Sequence, residues 1–334
     1  MLKKLLIALA SLATAAVLFA APASAAHEGQ MRRVYTADLD PLNAPGGGQA
    51  RIEVFDQNNA LITIEADGLS PDAPHAQHVH GAEDLIAECP TVAADDADGD
   101  GFVSVAEGAP RYGGIQVSLT TEGDISTDSG LAVERFPVSE DGAYTYERGP
   151  VRLPQDVATR LANKAIVLHG ADLNGSGEYD GEKRSSIAPD VPFEVTVPTA
   201  CGQVTQAEIL LPPPYAGTTG VEGKVTRWYA ALLNRAPDEA GFAYWVDTYR
   251  RVGAQPVVAA FAESAEFQTR FGDVLDASAA ELVEFTYLAT FGRSADDAGQ
   301  SYWAQKIQSG EVGREQLVAL FADSPEFQAL TGTA

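Results

Sequence analysis

The sequence predicts two folded regions of different class, an all-β sandwich followed by an all-α region. Short runs with strand-like patterning recur through residues 27–210, and a stretch rich in proline and glycine follows at 211–223. Residues 224–334 then show a helical pattern that occurs twice. With 334 residues, of which 45% are hydrophobic, the chain can bury a separate core in each region.

The N-terminus has the pattern of a secretory signal peptide. Lys3 and Lys4 precede the apolar run 5–21, and the small residues 23–25 follow it. We expect residues 1–25 to be removed; an uncleaved membrane anchor is the alternative. Nothing later in the chain approaches the roughly 18 unbroken apolar residues of a spanning helix. The sequence therefore predicts a secreted or cell-surface protein with no membrane span after cleavage.

The chain is strongly acidic. Its 22 basic and 47 acidic residues give a formal net charge of −25. Such a surface repels nucleic acid and anionic lipid, so we predict no nucleic-acid partner. It also offers many carboxylates to hard cations such as calcium.

The first region contains several short strand-like runs bounded by turn residues. They cover residues 51–55, 61–66, 115–119, 143–147, 165–169 and 193–197. Many short strands of this kind indicate a sandwich or a barrel. One helix is predicted at 154–162, where Pro154 suits a first helical position and Val157 and Leu161 fall on one face.

Two cysteines, Cys89 and Cys201, lie in this β region. Export would place them where a disulfide forms and persists, so we predict one bridge between them. Two free thiols are the alternative. A bridge closing so long a loop stabilises a fold by about 4 to 5 kcal/mol in the chain-entropy model.

The second region contains two copies of one helical unit. Segments 235–245 and 261–268, RAPDEAGFAYW and FAESAEFQ, recur as 293–303 and 321–328, RSADDAGQSYW and FADSPEFQ. We expect the aromatic residues of these segments to form core rather than a ligand site. Asp238 and Asp296 precede the helices that carry the tryptophans, and we predict that both are N-caps.

This tandem unit resembles a bacterial domain of unknown function attached to secreted and surface-layer proteins, often beside calcium-binding repeats. The resemblance rests on the elements R-x-x-D-x-x-G-x-x-Y-W and S-x-E-F, each present twice in order from Val225 to about Leu330. It implies attachment at the cell exterior and no catalytic residues. The partner of residues 224–334 would be a cell-envelope component or a secreted protein.

The strongest chemical motif is the acidic segment 96–107. It matches the loop of an EF-hand-type calcium site, which takes ligands from positions 1, 3, 5, 7, 9 and 12. Those positions hold Asp96, Asp98, Asp100, Phe102 through its carbonyl, Ser104 and Glu107. Gly101 stands where the chain must turn sharply, and no entering helix pattern precedes the loop. We predict an isolated calcium loop that braces the fold; a solvated acidic loop is the alternative.

A second acidic segment matches the first half of the same pattern. Its candidate ligands are Asp172, Asn174, Ser176, Glu178 and Asp180. Position 12 is Lys183, so the bidentate carboxylate is missing unless Glu182 or a distant acid replaces it. Calcium at this loop and Asx-turn chemistry without metal both remain open.

Three histidines form another candidate site. His78 and His80 flank Val79 and would face the same side of an extended strand, while His169 ends an apolar run. Three converging imidazoles suit copper or zinc. Histidines hydrogen-bonded inside a loop junction are the alternative.

The order His78, His80, Cys89, His169 and Cys201 is similar to that of the copper/zinc superoxide dismutase fold. Over roughly residues 31–205 it resembles more closely the chordin-type (CHRD) domains on the same Greek-key scaffold. The resemblance implies copper ligands at the three histidines and a bridge between the two cysteines.

The sequence also departs from the dismutase pattern. No histidine lies between His80 and His169, so the metal-bridging imidazole and the zinc-site histidines have no counterpart. Residues 197–200, VPTA, stand where the arginine that guides superoxide is expected. We therefore predict a non-catalytic, calcium-binding secreted protein with a helical attachment region. The alternative is a copper-binding redox protein of superoxide dismutase type.

Overall fold

The computed structural model describes residues 29–83 and 85–334. An antiparallel β region extends to Leu210, and an all-helical region begins at Gly220. This order confirms the predicted fold class. The signal peptide predicted at residues 1–25 lies outside the described residues. Within the described part of the chain, no helix is long and apolar enough to cross a membrane.

In the described ranges, the β region consists of antiparallel strands that form two layers. The strands are β1 (Arg32–Pro41), β2 (Gly47–Phe55), β3 (Asn59–Asp67), β4 (Gln77–Gly81), β5 (Gly114–Ser118), β6 (Tyr144–Arg152), β7 (Ala165–His169), β8 (Pro198–Gln203) and β9 (Thr205–Leu210). Their order is β5-β4-β7-β8-β1-β2-β3-β6, and β9 also pairs with β1. Strand β1 joins the layers, since most of it pairs with β2 and β9 while Asp40 and Pro41 pair with β8.

Five of the six predicted strand runs fall on observed strands β2, β3, β5, β6 and β7. The sixth prediction, at 193–197, is wrong, because α4 (Phe193–Thr196) is a short helix and β8 begins only at Pro198. Pro192 at the N-cap favours a helical start. In addition, the Glu194 carboxylate accepts hydrogen bonds from the amides of two other loop residues, so tertiary contacts override the β-branched pattern.

Three further short helices lie in the connections of the β region: α1 (Val92–Asp95), α2 (Val105–Tyr112) and α3 (Gln155–Thr159). Helix α3 and the 3₁₀ turn after it account for the helix predicted at 154–162. Pro154 is its N-cap, and both Val157 and Leu161 are buried.

In the C-terminal region, the described helices repeat as the sequence predicts. They are α5 (Gly220–Trp228) with a π-helical turn (Tyr229–Leu233), α6 (Glu239–Val252), α7 (Ala254–Ala262), α8 (Ala265–Leu275), α9 (Ala279–Phe291), α10 (Asp297–Gln308), α11 (Arg314–Ala322) and α12 (Pro325–Thr331). Asp238 and Asp296 cap α6 and α10, as predicted. Corresponding ion pairs, Arg235 with Glu266 and Arg293 with Glu326, occur in the two copies.

The two regions are in direct contact. Met31, Ile209 and Leu211 belong to the same hydrophobic cluster as the helices. Within the segment 211–223 predicted as a linker, the Tyr215 ring is buried and packs edge-on against Phe242, with 5.1 Å between centroids. The segment is therefore packed against the helices.

Candidate metal centre and acidic loops

The structure brings together the three histidines that the sequence singled out. His78 and His80 project from the same side of β4, and β7, which ends at His169, is the neighbouring strand in the sheet. All three side chains are buried, with no residue more than 4% exposed. One ring nitrogen of each lies within 4.8 Å of the other two.

Backbone carbonyls fix the orientation of the three rings. The pairs are His78 Nε2 with Gly130 O at 3.1 Å, His80 Nδ1 with Gly113 O at 3.0 Å, and His169 Nδ1 with Thr196 O at 2.9 Å. A carbonyl can only accept a hydrogen bond, so these nitrogens carry the proton and the other nitrogen of each ring keeps its lone pair. Those nitrogens, His78 Nδ1, His80 Nε2 and His169 Nε2, are buried without a hydrogen-bond partner.

Aromatic contacts hold the rings further. Phe136 meets the His78 ring edge-on at 5.3 Å, and Tyr112 at the end of α2 meets the His80 ring at 4.7 Å. His75, another buried histidine, does not join the cluster. Its two ring nitrogens lie 3.2 Å from His169 O and 3.1 Å from Ser70 O, so it supports the backbone at His169.

Burial keeps the three histidines neutral. Desolvation, followed by repulsion from His169, lowers the pKa of His80 to about 3. Burial alone lowers the pKa of His169 to about 4 against the opposing effect of the Thr196 carbonyl. The pKa of His78 lies well below 6.5 for the same reasons as that of His80. At neutral pH, all three lone pairs are therefore available to a metal ion.

A pocket of about 270 Å³ opens onto the three rings. Apolar side chains supply its walls, including Val105 and Ala109 from α2 and Ile115 from β5. Leu131 and Ile187 also line it and are 47% and 49% exposed. Among the residues that the structure describes, no charged side chain lines this pocket.

The acidic loop 96–107 lies between β4 and β5 and leads directly into α2. The structure brings together Asp96, Asp98 and Glu107, which place one carboxylate oxygen each within 4.8 Å of the others. Asp100 points instead to Lys183, with which it forms an ion pair. Phe102 contacts the Phe193 ring at 6.0 Å between centroids, and Ser104 caps α2.

Backbone amides bind the carboxylates at both ends of this loop. Asp96 accepts from Gly99, Asp100 and Gly101 at 2.8, 3.2 and 2.9 Å, and Glu107 from Ala97, Asp98 and Ser104 at 2.9, 3.2 and 2.8 Å. The Ser104 amide is the main cause that lowers the pKa of Glu107. Glu107 is therefore ionised at neutral pH, and the amides fix both carboxylates in place.

The second acidic loop is arranged differently. Asp172 accepts from three successive amides, but Asp180 is held by Asn174 and Ser176, both at 2.9 Å from its Oδ1. The acid that approaches this loop from a distance is Glu194 of α4, which is 3% exposed and accepts from the amides of Leu173 and Gly181. Within the described ranges, no three carboxylates meet here as they do at the first loop. Glu178 contributes its backbone carbonyl, which accepts from Ser176.

Cys89 and Cys201 form the predicted disulfide, with 5.6 Å between their Cα atoms and a sequence separation of 112. Cys201 lies on β8 opposite Val167 of β7, two residues before His169. Cys89 lies between β4 and the acidic loop. The bridge therefore links the strand layer that carries the histidines to the loop segment.

Comparisons with known proteins bear on each region separately. The helical region matches the model of a domain of unknown function, DUF4214, over residues 222–271 and 258–331. No curated protein matches the chain.

Among solved structures, the chain is similar to superoxide dismutase 5 of Candida albicans. Its copper(II) form is 14% identical with a TM-score of 0.29, and the match covers 53% of this chain and 94% of that one. Two single-residue mutants of the same enzyme match at 13% and 14% identity, with TM-scores of 0.29 and 0.27, over 53% of this chain and 93% of theirs. The resemblance to chordin-type domains stays a prediction.

Proposed function

We propose that the β region of this protein binds one copper or zinc ion through His78, His80 and His169. The observation that carries the proposal is the set of three buried ring nitrogens that face one another without hydrogen-bond partners. Each buried polar atom left unpaired costs about 1 to 3 kcal/mol, and one metal ion would pair all three at once. Neutral imidazole nitrogens are preferred ligands of both metals.

The surroundings of the three rings fit such an ion. A second ring nitrogen that donates to a backbone carbonyl fixes the tautomer and raises the basicity of the ligand nitrogen. Three protein ligands leave one coordination position open, which here would face the apolar pocket. A bound ion would act as a Lewis acid there, and copper would in addition carry an electron.

The pocket also bears on the choice of ligand. Its described lining is uncharged, and it has no cationic side chain to draw in an anion such as superoxide. It therefore favours a small uncharged molecule at the open position. We propose metal binding without dismutase activity; the redox protein of superoxide dismutase type remains the alternative.

Metal analysis tests this proposal directly. We expect about one equivalent of copper or zinc per chain after purification without chelator, and loss of this metal in His80→Gln and His169→Gln. His75→Gln is the control and should keep the metal, because His75 is equally buried, lies outside the cluster and touches the ligand His169 at its backbone carbonyl and not at its ring. Wild-type protein that takes up neither metal, or His80→Gln that retains it, would contradict the proposal.

We further propose that calcium binds at Asp96, Asp98 and Glu107, with Phe102 and Ser104 completing the loop. The supporting observation is the approach of three carboxylates from the two ends of the loop. Calcium there would brace α2, whose Tyr112 packs on His80 and whose C-cap residue Gly113 accepts a hydrogen bond from His80 Nδ1 through its carbonyl oxygen. At the second loop, the contacts of Asp172 and Asn174 favour the Asx-turn interpretation, and calcium there stays a prediction.

We propose that the protein is exported and that its helical region attaches it to a cell-envelope component or a secreted protein. The disulfide fits export, because such bonds persist in oxidising compartments. Tyr244 and Tyr302 occupy equivalent positions of the two repeats and are 58% and 52% exposed, so the expectation that the aromatic residues of these segments form core is wrong for the two tyrosines. Exposed aromatic rings are common anchors in interfaces.

We expect a Tyr244→Ser, Tyr302→Ser double variant of the full chain to lose about tenfold or more of its binding to isolated cell envelopes. An unchanged affinity would rule out these rings as the anchors. Val252→Ser is the control, since Val252 is a similarly exposed apolar residue on α6 without an aromatic ring.

A further inference from the structure

A second, larger cavity lies between the β region and the helices, away from the histidine pocket. Its volume is about 1140 Å³, and Arg33 and Tyr35 of β1 and Arg270 of α8 are among the residues that line it. None of these residues belongs to the motifs that the sequence contains. The described lining carries three arginines and three acids, Arg33, Arg235 and Arg270 with Asp56, Asp238 and Glu266. Arg235 pairs with two of these acids, whereas Arg33 and Arg270 form no ion pair with any described carboxylate.

Arg33 has neutral partners for every N–H of its guanidinium. The acceptors are the side-chain oxygens of Asn234 and Gln206 and the backbone carbonyls of Ala230, Ala289 and Thr290, at 2.9 to 3.5 Å. Two of these carbonyls lie in the last turn of α9, where the helix dipole is negative. Arg33 is thus held in position, but no carboxylate neutralises it among the described residues.

Arg270 is less well satisfied. Its Nη2 donates to Ala289 O at 3.0 Å, whereas its Nη1 is buried and has no hydrogen-bond partner. Burial, and then repulsion from Arg33, lowers the pKa of Arg270 to about 9. The other arginine that lines the cavity, Arg235, differs because Glu266 pairs with it at 2.9 Å. Arg270 is half-buried as a residue, but its Nη1 is buried, and among the described residues no carboxylate pairs with it.

The internal repeat indicates that the helical unit does not need this arginine. Aligning the segment AEFQTRF at 265–271 with PEFQALT at 325–331 places Leu330 opposite Arg270. Aligning the segment 235–245 with 293–303 places Gly292 opposite Asn234, the residue whose side chain accepts from Arg33 Nε. The two copies therefore differ at these two positions, although the capping aspartates and the ion pairs, which also lie at the cavity in the first copy, agree.

We propose that this cavity binds an anionic ligand, whose carboxylate, sulfate or phosphate group is placed against Arg270 Nη1 and beside Arg33. A guanidinium offers paired donors that match the oxygens of such groups. The ligand would supply the acceptor that Nη1 lacks and neutralise two neighbouring cations. The cavity is large enough for an organic anion of metabolite size.

Calorimetric titration of the full chain with inorganic phosphate, sulfate and acetate tests the proposal. We expect one saturable site for at least one of these anions, and roughly ten- to hundredfold weaker binding in Arg270→Leu, which loses charge-assisted hydrogen bonds. Arg251→Leu, an exposed arginine of α6 paired with Asp247, is the matched control and should bind like wild type. The comparison of the three anions identifies the preferred group.

Stability measurements separate ligand binding from a structural role. Without added anion, Arg270→Leu should be at least as stable as wild type, because a cation with a buried, unpaired Nη1 is removed and leucine occupies this position in the other repeat. Arg270→Lys keeps a cation in the cavity and should bind with intermediate affinity, even if the leucine variant folds poorly. The proposal is overturned if no probe binds stoichiometrically to wild type, or if both Arg270 variants bind as tightly as wild type.

Discussion

The histidine centre and the acidic loop 96–107 each bring three candidate ligands within 4.8 Å of one another, but their surroundings differ. At the histidine centre, the inward-facing nitrogens are buried and have no partner. At the loop, the carboxylates of Asp96 and Glu107 already accept hydrogen bonds from six backbone amides. At the histidine centre, an ion would pair nitrogens that the fold leaves without partners. At the acidic loop, an ion would bind carboxylates that already accept hydrogen bonds from the backbone.

We therefore expect the two sites to bind their ions with different strength and exchange rate. Buried ligands with a fixed orientation favour tight binding and slow exchange. Ligands on an exposed loop keep contact with solvent, so calcium should bind reversibly at extracellular concentrations. Helix α2 connects the two sites, because it begins at the acidic loop and ends against His80.

The largest effect that we expect from this comparison is stabilisation by calcium. Calcium binds the folded loop in preference to the unfolded chain, so the free energy of unfolding should rise by about 2.7 kcal/mol at a hundredfold excess over Kd. Glu107→Gln keeps the length of the side chain but removes one charge and weakens bidentate binding. The calcium-dependent rise in melting temperature should therefore shrink markedly in this variant, and magnesium should have little effect on wild type.

Asp180→Asn is the matched control for calcium, because it changes one carboxylate of the second acidic loop. Its response to calcium should equal that of wild type. If only Asp180→Asn loses the calcium-dependent rise in melting temperature, calcium binds at the second acidic loop and not at the first. If wild type and Glu107→Gln respond identically to millimolar calcium, the first acidic loop is not a calcium site.

The sequence predicts much of this arrangement where it depends on local pattern. The i, i+2 spacing of His78 and His80 places both on one face of a strand, and the apolar run before His169 predicts β7. The carbonyls that orient the three rings lie 52, 33 and 27 residues from their histidines, so no local pattern could reveal them. For the Gly113 carbonyl alone, the sequence holds one indirect signal, the Gly113-Gly114 pair, which is typical of a sharp turn. Gly113 has φ of +81°, and a Cβ there would meet the backbone of Gly81.

Glu194 and Arg270 show why other parts of the structure could not be predicted. The alternating segment 193–197 suggests a strand, but Glu194 forms its contacts with loop residues that are distant in sequence. Arg270 lies on an amphipathic helix, where an arginine is normally solvent-exposed. The packing of α8 against α9, beside a cavity that β1 also lines, buries its Nη1, and this packing leaves no trace in the local pattern.

The smallest effect that we expect is a loss of stability at acidic pH, and it tests the histidine centre separately from the calcium loop. The folded-state pKa of His80 is about 3, that of His169 is about 4, and each histidine has an ordinary pKa of 6.5 when unfolded. Between the folded-state pKa values and 6.5, the unfolded chain binds more protons than the folded protein. The contribution of these histidines to the free energy of unfolding is therefore fully present above pH 6.5 and is lost as the pH decreases. Each such histidine should cost chelator-treated protein about 1.4 kcal/mol at about pH 5.5.

Urea unfolding of chelator-treated protein at pH 7 and at about pH 5.5 measures this loss. His80→Gln should lose about 1.4 kcal/mol less than wild type between the two pH values, because one titrating group is gone. His75, whose pKa is also lowered by burial, is present in both proteins and cancels in the comparison. Glu107 does not interfere, since its pKa is lowered from 4.5 and its contribution is lost only at still lower pH. Equal losses in the two proteins would mean that the histidines are not held neutral by burial, and the electrostatic basis of the metal centre would fail.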